Sequence, residues 1–347
     1  MIIFTDFHHS GLLQSFIITF EKRLGHKVYR PIGLEWFEKG FWRINHQRDT
    51  AEQFLGLHVV PKDGTPGLND VTGYQEGVYK VRDIIDGENK AITFDAFMRT
   101  PVDVVIASIP AHLEPFRILC DMHPNKPKLV FQIGNNWELV DTNLVKNFMV
   151  STKVSAPPII DVNYIQYHQE FSLDDFNAGG IFTLPDKNIY SFINILQSHR
   201  DWPLFLELEQ DLPDWQFRSY GGQCRDGNMT GSKALGEKMR EARFIWHTKQ
   251  GGDGYGHILY NSAAVGRPVI IRRADYEGKL GDELLIDGQT SIFIDGLSKE
   301  QIIEKILYYS EPVRYRKMSR HTWLNFNDKV NFAAEAQMIE DFLHNLK

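Results

Sequence analysis

The sequence predicts an α/β protein made of two domains, each built on a mainly parallel sheet. The chain of 347 residues is longer than a typical single domain and fits two domains of about 150 residues each. Near-continuous apolar runs at residues 102–109 and 128–133 are typical of strands buried on both faces of a parallel sheet. A stretch with apolar residues at helical spacing separates them, and this alternation favours parallel strands joined by right-handed crossovers.

The first domain is expected to cover residues 1–170. It starts with a strand, a loop that carries His8 and His9, and a helix, whereas the stretch 34–96 shows no clear periodicity. The other elements expected here are strands at 27–31, 102–109, 128–133, 148–151 and 162–167 and a helix at 111–122. His112, Asn135 and Asn136 follow predicted strand ends, where open α/β sheets bind ligands. We therefore expect these three residues to bind an acceptor.

The second domain is expected to cover residues 171–325, and residues 326–347 to form a helix that returns toward the first domain. Its predicted strands are 181–184, 216–220, 244–247 and 268–272, and its predicted helices are 188–198, 233–241, 256–265 and 302–309. The last helix is expected at 333–346. Between residues 198 and 216 the pattern leaves room only for a shortened strand and helix.

Composition excludes several classes of protein. The net charge of -7 has the wrong sign for a protein whose main partner is a nucleic-acid backbone, and the basic stretch 314–320 is interpreted as an exposed helix face. Two cysteines, Cys120 and Cys224, are too few for a disulfide framework or a metal knuckle. No apolar run reaches the roughly 18 residues of a membrane span, and no signal peptide is evident. We expect a cytoplasmic protein without a transmembrane segment.

The most informative segment is 244–273, where an apolar strand runs into a glycine-rich loop and a helix starts at the end of that loop. The glycines are Gly251, Gly252, Gly254 and Gly256. Backbone amides and the positive end of a helix dipole together suit a diphosphate. Asp253 in the loop and Asn261 in the helix are eight positions apart and can face the same cleft. The segment predicts a nucleotide site.

This segment resembles the C-terminal domain of retaining glycosyltransferases with the GT-B fold, in particular the large family 4 group. The stretch from Asp253 to Gly256 corresponds to the family's Glu-Gly-Phe-Gly loop, and Asn261 takes the place of its second Glu. Gly266 and 268–270 match the entry to the next strand, and 283–288 match a later Glu-x-x-x-Asp-Gly segment. The resemblance implies a GT-B architecture, with two Rossmann-like domains facing a central cleft.

The resemblance also implies roles for individual residues. Asp253 would bind sugar hydroxyls and be catalytic, Asn261 would bind the ribose, and Lys249 and Lys187 would bind the phosphates. The family's Arg position is occupied by Phe182. The full set expected to bind the donor is Lys187, Tyr220, Gly221, His247, Lys249, Gly252, Gly254, Tyr255, Gly256, His257 and Asn261. His8 and His9 are the candidates for proton transfer in the first domain, since the pKa of a histidine is normally near 6.5.

The function implied is transfer of a hexose-type sugar from a nucleotide sugar to an acceptor hydroxyl, with retention of configuration. No metal and no cofactor besides the donor is expected, and a UDP-sugar is favoured as the donor. The acceptor stays open among a glycan, a small molecule and a modified DNA base. Three alternatives also stay open: a phage-type glycosyltransferase that modifies a flipped DNA base, a sugar-nucleotide epimerase, and a non-catalytic sugar-binding protein on the same scaffold.

Overall fold

The computed structural model describes residues 1–6, 10–32, 34–41, 71–82, 88–134, 140–153, 162–179, 183–229 and 231–347. The chain divides into two compact units. The first comprises Met1–Glu170 together with Phe332–Lys347, and the second comprises Phe171–Asn331. Within the ranges given above, no helix combines the length and the apolar character needed to cross a bilayer.

In the described part of the first unit, nine strands form one sheet. They are β1 (Ile2–Thr5), β2 (Lys27–Pro31), β3 (Val71–Gln75), β4 (Val78–Arg82), β5 (Glu88–Ile92), β6 (Val104–Ala107), β7 (Lys128–Ile133), β8 (Asn147–Val150) and β9 (Asn163–Gln166). Their order is β3-β4-β5-β2-β1-β6-β7-β8-β9. The β3–β4 and β4–β5 pairs are antiparallel, and the other pairs among these strands are parallel. All four residues of β6 are buried, as expected for a central parallel strand.

The helices of the first unit before residue 170 connect these strands. They are α1 (Ser10–Phe16), continued by a wider π-helical turn at Ile17–Arg23, α2 (Leu34–Glu38), α3 (Phe94–Arg99) and α4 (Pro110–Met122). Leu113, Phe116 and Leu119 of α4 are buried against the sheet because they repeat at helical spacing on one face.

In the described part of the second unit, five parallel strands form a sheet in the order β11-β10-β12-β13-β14. They are β10 (Asn188–Ser191), β11 (Gln216–Ser219), β12 (Phe244–Trp246), β13 (Val269–Ile271) and β14 (Ser291–Phe293). The α-helices around them are α5 (Trp202–Asp211), α6 (Ser232–Glu241), α7 (His257–Ala264), α8 (Lys299–Ser310) and α9 (Pro312–Lys329). Phe205, Trp246 and Ile292 lie in one buried cluster, so strands and helices share a single core.

The final helix, α10 (Phe332–His344), belongs to the first unit. Its residues Ile339, Phe342 and Leu343 join the buried cluster that contains β1 and α1 residues. Two acidic side chains of α10 also contact histidines of that unit: Glu335 lies 2.8 Å from His168 and Glu340 lies 2.6 Å from His26. Apolar packing and these side-chain contacts together hold the end of the chain against the first unit.

The predicted helix at residues 188–198 is wrong. The first part is β10, Ile195 has a left-handed backbone with φ 54°, and a short 3-10 helix follows it. Ile189, Ile193 and Leu196 are spaced like one face of a helix, but they are buried because β10 lies between β11 and β12. The buried residues of a central strand and the turn after it therefore have the same spacing in the sequence as one face of a helix.

Two other stretches also differ from the expectation. The stretch 198–216, where only shortened elements were predicted, contains the full helix α5. Within the stretch 34–96, which showed no clear periodicity, residues 71–75, 78–82 and 88–92 form β3, β4 and β5, and β4 pairs antiparallel with both neighbours. Alternation in these strands is weak, so sequence periodicity did not reveal them.

Candidate functional site

The candidate site lies at the carboxyl edge of the second sheet, where open α/β sheets bind ligands. β12 ends at Trp246 and is followed by His247, Thr248 and Lys249. The chain then passes through the glycine-rich loop and enters α7 at His257. Because β12 pairs with both β10 and β13, this loop stands next to the ends of two other strands.

The glycines of this loop adopt a backbone that other residues rarely adopt. Gly251, Gly252 and Gly256 have φ values of 72°, 66° and 91°, in the left-handed region. A Cβ atom on Gly252 would lie 2.3 Å from the carbonyl oxygen of Asp275. Both the backbone conformation and the lack of space therefore require glycine at this position. Gly256 is the N-cap residue of α7, and among the described residues no side chain caps this helix. The first amides of a helix have no acceptor inside the helix, so this uncapped helix start can bind an anion.

The carboxylate of Asp253 is the centre of a group of polar side chains. Its Oδ2 atom accepts a hydrogen bond of 2.8 Å from the Tyr276 hydroxyl and lies 3.0 Å from His247 Nε2. Its Oδ1 atom accepts a hydrogen bond from Lys249 Nζ. The Tyr276 hydroxyl also lies 2.7 Å from His247 Nε2. Three donors from two loops thus converge on one carboxylate.

The surroundings fix the charge of Asp253. Burial alone would raise its pKa, but the hydrogen bond from His247 and the positive charge of Lys249 hold the pKa of Asp253 well below its usual range. Burial and the neighbouring Asp253 charge raise the pKa of Tyr276 well above its usual value. Asp253 is therefore an ionised acceptor and Tyr276 a neutral donor.

A second loop, which follows β13, holds the glycine-rich loop in place. Asp275 Oδ1 accepts a hydrogen bond of 3.0 Å from the amide of Gly251, and Lys279 Nζ donates to the Gly251 carbonyl. Tyr276 belongs to the same segment. Asp275, Tyr276 and Lys279 are not among the residues predicted from the sequence. Their position directly after a predicted strand of the same sheet was a usable signal.

Asn261 carries a buried oxygen that has no partner among the described residues. The side chain lies in α7, is 6% exposed, and its Oδ1 atom makes no hydrogen bond within the described structure. Thr248 Oγ1 is likewise buried without a partner among the described residues. An unsatisfied buried acceptor typically costs about 1–3 kcal/mol, so these atoms are candidates for a bound ligand.

The other residues of this loop pack against one another. Tyr255 stacks on Tyr260 with ring centres 4.5 Å apart and meets His257 edge-on at 5.0 Å. The Tyr260 hydroxyl donates to Glu283 at 2.8 Å. Glu283 belongs to the later segment that resembles family 4, so the two matching segments are joined here by a hydrogen bond.

Tyr220 and Gly221 follow β11 at the same edge of the sheet. The Tyr220 ring stacks on Phe192, which follows β10, with centres 5.8 Å apart. Gly221 has φ 140°, and a Cβ atom there would lie 2.8 Å from Asn194 Oδ1. Asn194 in turn accepts a hydrogen bond of 2.7 Å from the next amide, that of Gly222. The ends of β10 and β11 are thereby tied together.

The structure does not bring every predicted residue to this edge. Lys187 precedes β10 and its carbonyl accepts from the amide of Gln216, so it lies at the amino edge, with its ammonium 3.6 Å from Asp214. This position corrects the expected contact of Lys187 with a diphosphate. His112, which was predicted to bind an acceptor, is instead 0% exposed and lies with its Nδ1 atom 2.9 Å from Asp6 Oδ2.

Four predicted residues lie outside the described ranges: His8, His9, Asn135 and Asn136. Their roles stay predictions. Within the described ranges, no group of three His, Cys, Asp or Glu side chains is arranged to hold a metal ion.

Comparison with known proteins identifies the fold. No family model and no curated protein sequence matches the chain, but solved structures do. Anabaena HepE in complex with UDP has a TM-score of 0.63 at 12% identity, covering 99% of this chain and 100% of its own. An α-glucosyltransferase in complex with UDP-glucose and DNA containing an abasic site has a TM-score of 0.60 at 9% identity, covering 99% of each chain. The chain has the GT-B fold.

A third GT-B structure extends this similarity. The pneumococcal O-GlcNAc transferase GtfA in complex with UDP and GlcNAc has a TM-score of 0.57 at 12% identity, with 99% of each chain covered. All three similarities run over nearly the whole chain, so both units of this protein take part in the GT-B fold.

Proposed function

We propose that this protein is a glycosyltransferase that moves a hexose-type sugar from a nucleotide-sugar donor to an acceptor hydroxyl. The observation that carries the proposal is the ionised Asp253 carboxylate, held between His247, Lys249 and Tyr276 beside the glycine-rich start of α7. A helix start suits a diphosphate, and a fixed carboxylate suits the hydroxyls of a sugar. The GT-B fold and the nucleotide-bound structures that share it support a UDP-sugar as the donor.

The proposed mechanism depends on stabilising the departing diphosphate. Negative charge develops on that group as the bond to the sugar breaks, and amides and cations aimed at it lower the barrier. Lys249 and the amides at the start of α7 supply these contacts. Asp253 orients the sugar through a hydroxyl, and Asn261 Oδ1 accepts a hydrogen bond from the ribose. The acceptor oxygen attacks the anomeric carbon from the face that the diphosphate leaves, and its proton passes to the departing phosphate oxygen, so configuration is retained and no metal is needed.

A thermal-shift screen against UDP, GDP, ADP and CDP sugars tests this proposal. A ligand that binds only the folded state raises the melting temperature. At a ligand concentration of about a hundred times Kd, it adds about 2.7 kcal/mol to the free energy of unfolding. We expect a UDP-sugar to give the largest shift and the free sugars to give none. A screen in which no nucleotide sugar shifts the melting temperature would overturn the proposal.

A DNA acceptor is a second candidate, since one of the similar GT-B structures contains DNA. The net charge of -7 opposes it. Binding to duplex DNA through phosphates weakens steeply as the salt concentration rises. Titration with duplex DNA at low and high salt therefore distinguishes a DNA acceptor from a glycan or small-molecule acceptor. Salt-sensitive binding would favour DNA, and no binding at low salt would leave glycans and small molecules.

A further inference from the structure

The two oxygens of the Asp253 carboxylate have different surroundings. Oδ2 faces His247 and Tyr276, whose side chains are almost fully buried. Oδ1 faces Lys249, whose side chain is 39% exposed. One edge of the carboxylate is therefore turned to the protein interior and the other to the open side of the loop.

The buried edge is saturated. A carboxylate offers about four acceptor positions, and the donors at Oδ2 fill the two on that side. The network is consistent with one proton arrangement, in which Tyr276 donates to Asp253 and His247 Nε2 also carries a hydrogen. His247 Nδ1 has no partner among the described residues, which an unprotonated nitrogen tolerates better than an N–H group does. This proton arrangement is assigned from the hydrogen bonds.

The donors are themselves held rigidly. Tyr276 packs its ring against His247 at 5.7 Å, and its amide donates to the Arg273 carbonyl at 2.8 Å. Asp275 and Lys279 on either side bind Gly251. By contrast, Lys249 reaches Asp253 with a long, flexible and partly exposed side chain, so it is the contact that a ligand can displace.

We propose that His247 and Tyr276 are positioning residues, which fix the Asp253 carboxylate so that its Oδ1 atom alone accepts a hydrogen bond from a hydroxyl of the donor sugar. The inference rests on the proposed function. Lys249 moves from Oδ1 to the diphosphate when the donor binds. The sugar is thus recognised through a single carboxylate oxygen, whereas the nucleotide is bound by other contacts.

The test compares UDP-glucose with UDP, because only the first carries the sugar. In Tyr276→Phe the ring remains and the hydroxyl is lost. We expect calorimetry to show about tenfold weaker binding of UDP-glucose, the size of one hydrogen bond to a charged group, with UDP binding unchanged within about twofold. Tyr190→Phe is the matched control, since Tyr190 is a buried tyrosine of the same unit that donates at 2.8 Å to Gln216. It should leave both affinities unchanged.

Two further variants distinguish positioning from general stability. In an Asp253→Ala background, Tyr276→Phe should have no added effect on UDP-glucose binding, because residues that act through one another are not additive. His247→Gln, which can keep an N–H donor near Asp253, should retain more UDP-glucose affinity than His247→Leu.

The outcomes separate this inference from the proposed function. Equal weakening of UDP and UDP-glucose in Tyr276→Phe, or additive losses with Asp253→Ala, would overturn the positioning role while the wild-type protein still binds the donor. A wild-type protein that binds neither UDP nor UDP-glucose would overturn the UDP-sugar assignment, and this inference with it.

Discussion

Each unit of the molecule contains an aspartate paired with a histidine near the carboxyl end of a parallel strand. In the first unit Asp6 lies 2.9 Å from His112, and in the second Asp253 lies 3.0 Å from His247. The side chains of Asp6 and His112 are both 0% exposed, whereas the Asp253 side chain is 20% exposed. The aspartate–histidine pair is therefore fully buried in the first unit, whereas in the second unit the aspartate is partly exposed to solvent.

The partners of the two carboxylates explain the difference. Asp6 accepts hydrogen bonds from the amides of Ser108 and Ile109 at 2.7 and 3.1 Å, and so joins β1 to the start of α4. Asp253 is held by side chains, one of which is the exposed Lys249. A carboxylate satisfied by backbone amides stabilises the fold, whereas one that keeps an edge toward solvent is available to a ligand.

The largest effect is expected from Asp6→Ala. It removes the acceptor from the amides of Ser108 and Ile109 and from His112, and each buried donor left without an acceptor costs about 1–3 kcal/mol. Urea unfolding should show this loss. An unchanged unfolding midpoint would mean that the buried pair is not structural, and the contrast between the units would fail.

Asp253→Ala is expected to act on activity instead. Loss of a preorganised contact in the active site typically lowers the rate by about a hundredfold or more, while the partly exposed side chain leaves the fold intact. Hydrolysis of UDP-glucose and circular-dichroism melting measure the two effects. Undiminished turnover would remove Asp253 from the site.

The glycine-rich loop allows a sharper comparison within the second unit. Gly251 and Gly252 both have a positive φ, but a Cβ atom on Gly251 meets nothing within 4 Å, whereas one on Gly252 would meet the Asp275 carbonyl at 2.3 Å. Gly252→Ala should therefore cost about 2 kcal/mol more than Gly251→Ala, since it adds a steric clash to a similar backbone strain. Equal unfolding free energies would show that the loop after β13 does not hold the glycine-rich loop.

The smallest effect is expected from Lys187→Ala. Lys187 lies at the amino edge, and its exposed ion pair with Asp214 is worth at most about 1 kcal/mol. Donor affinity measured by calorimetry should be unchanged. A tenfold loss would restore the diphosphate role that the resemblance implied.

The sequence revealed the parts of the site that are continuous along the chain. The strand at β12, the glycine-rich loop and α7 follow one another, and their glycines and apolar spacing made them recognisable. Tyr276 escaped notice because its contact with Asp253 depends on the order of strands in the sheet, which places β13 beside β12. The predictions for Lys187 and His112 failed for a related reason. The residue type alone does not tell at which edge of the sheet a side chain lies or whether it is buried.

The fold shows the same limit. Parallel strands buried on both faces gave clear apolar runs at β6 and β7, and the structure confirms both. β10 was mistaken for a helix because a buried strand and the turn after it repeat apolar residues every three or four positions. Local periodicity alone cannot separate these two cases.

A crystal structure of the protein with UDP-glucose tests the central claim most directly. We expect the diphosphate to lie against the amides that start α7, with a glucose hydroxyl within hydrogen-bond distance of Asp253 Oδ1 and Lys249 turned toward the phosphates. A nucleotide bound elsewhere, with Lys249 still on Asp253, would contradict it.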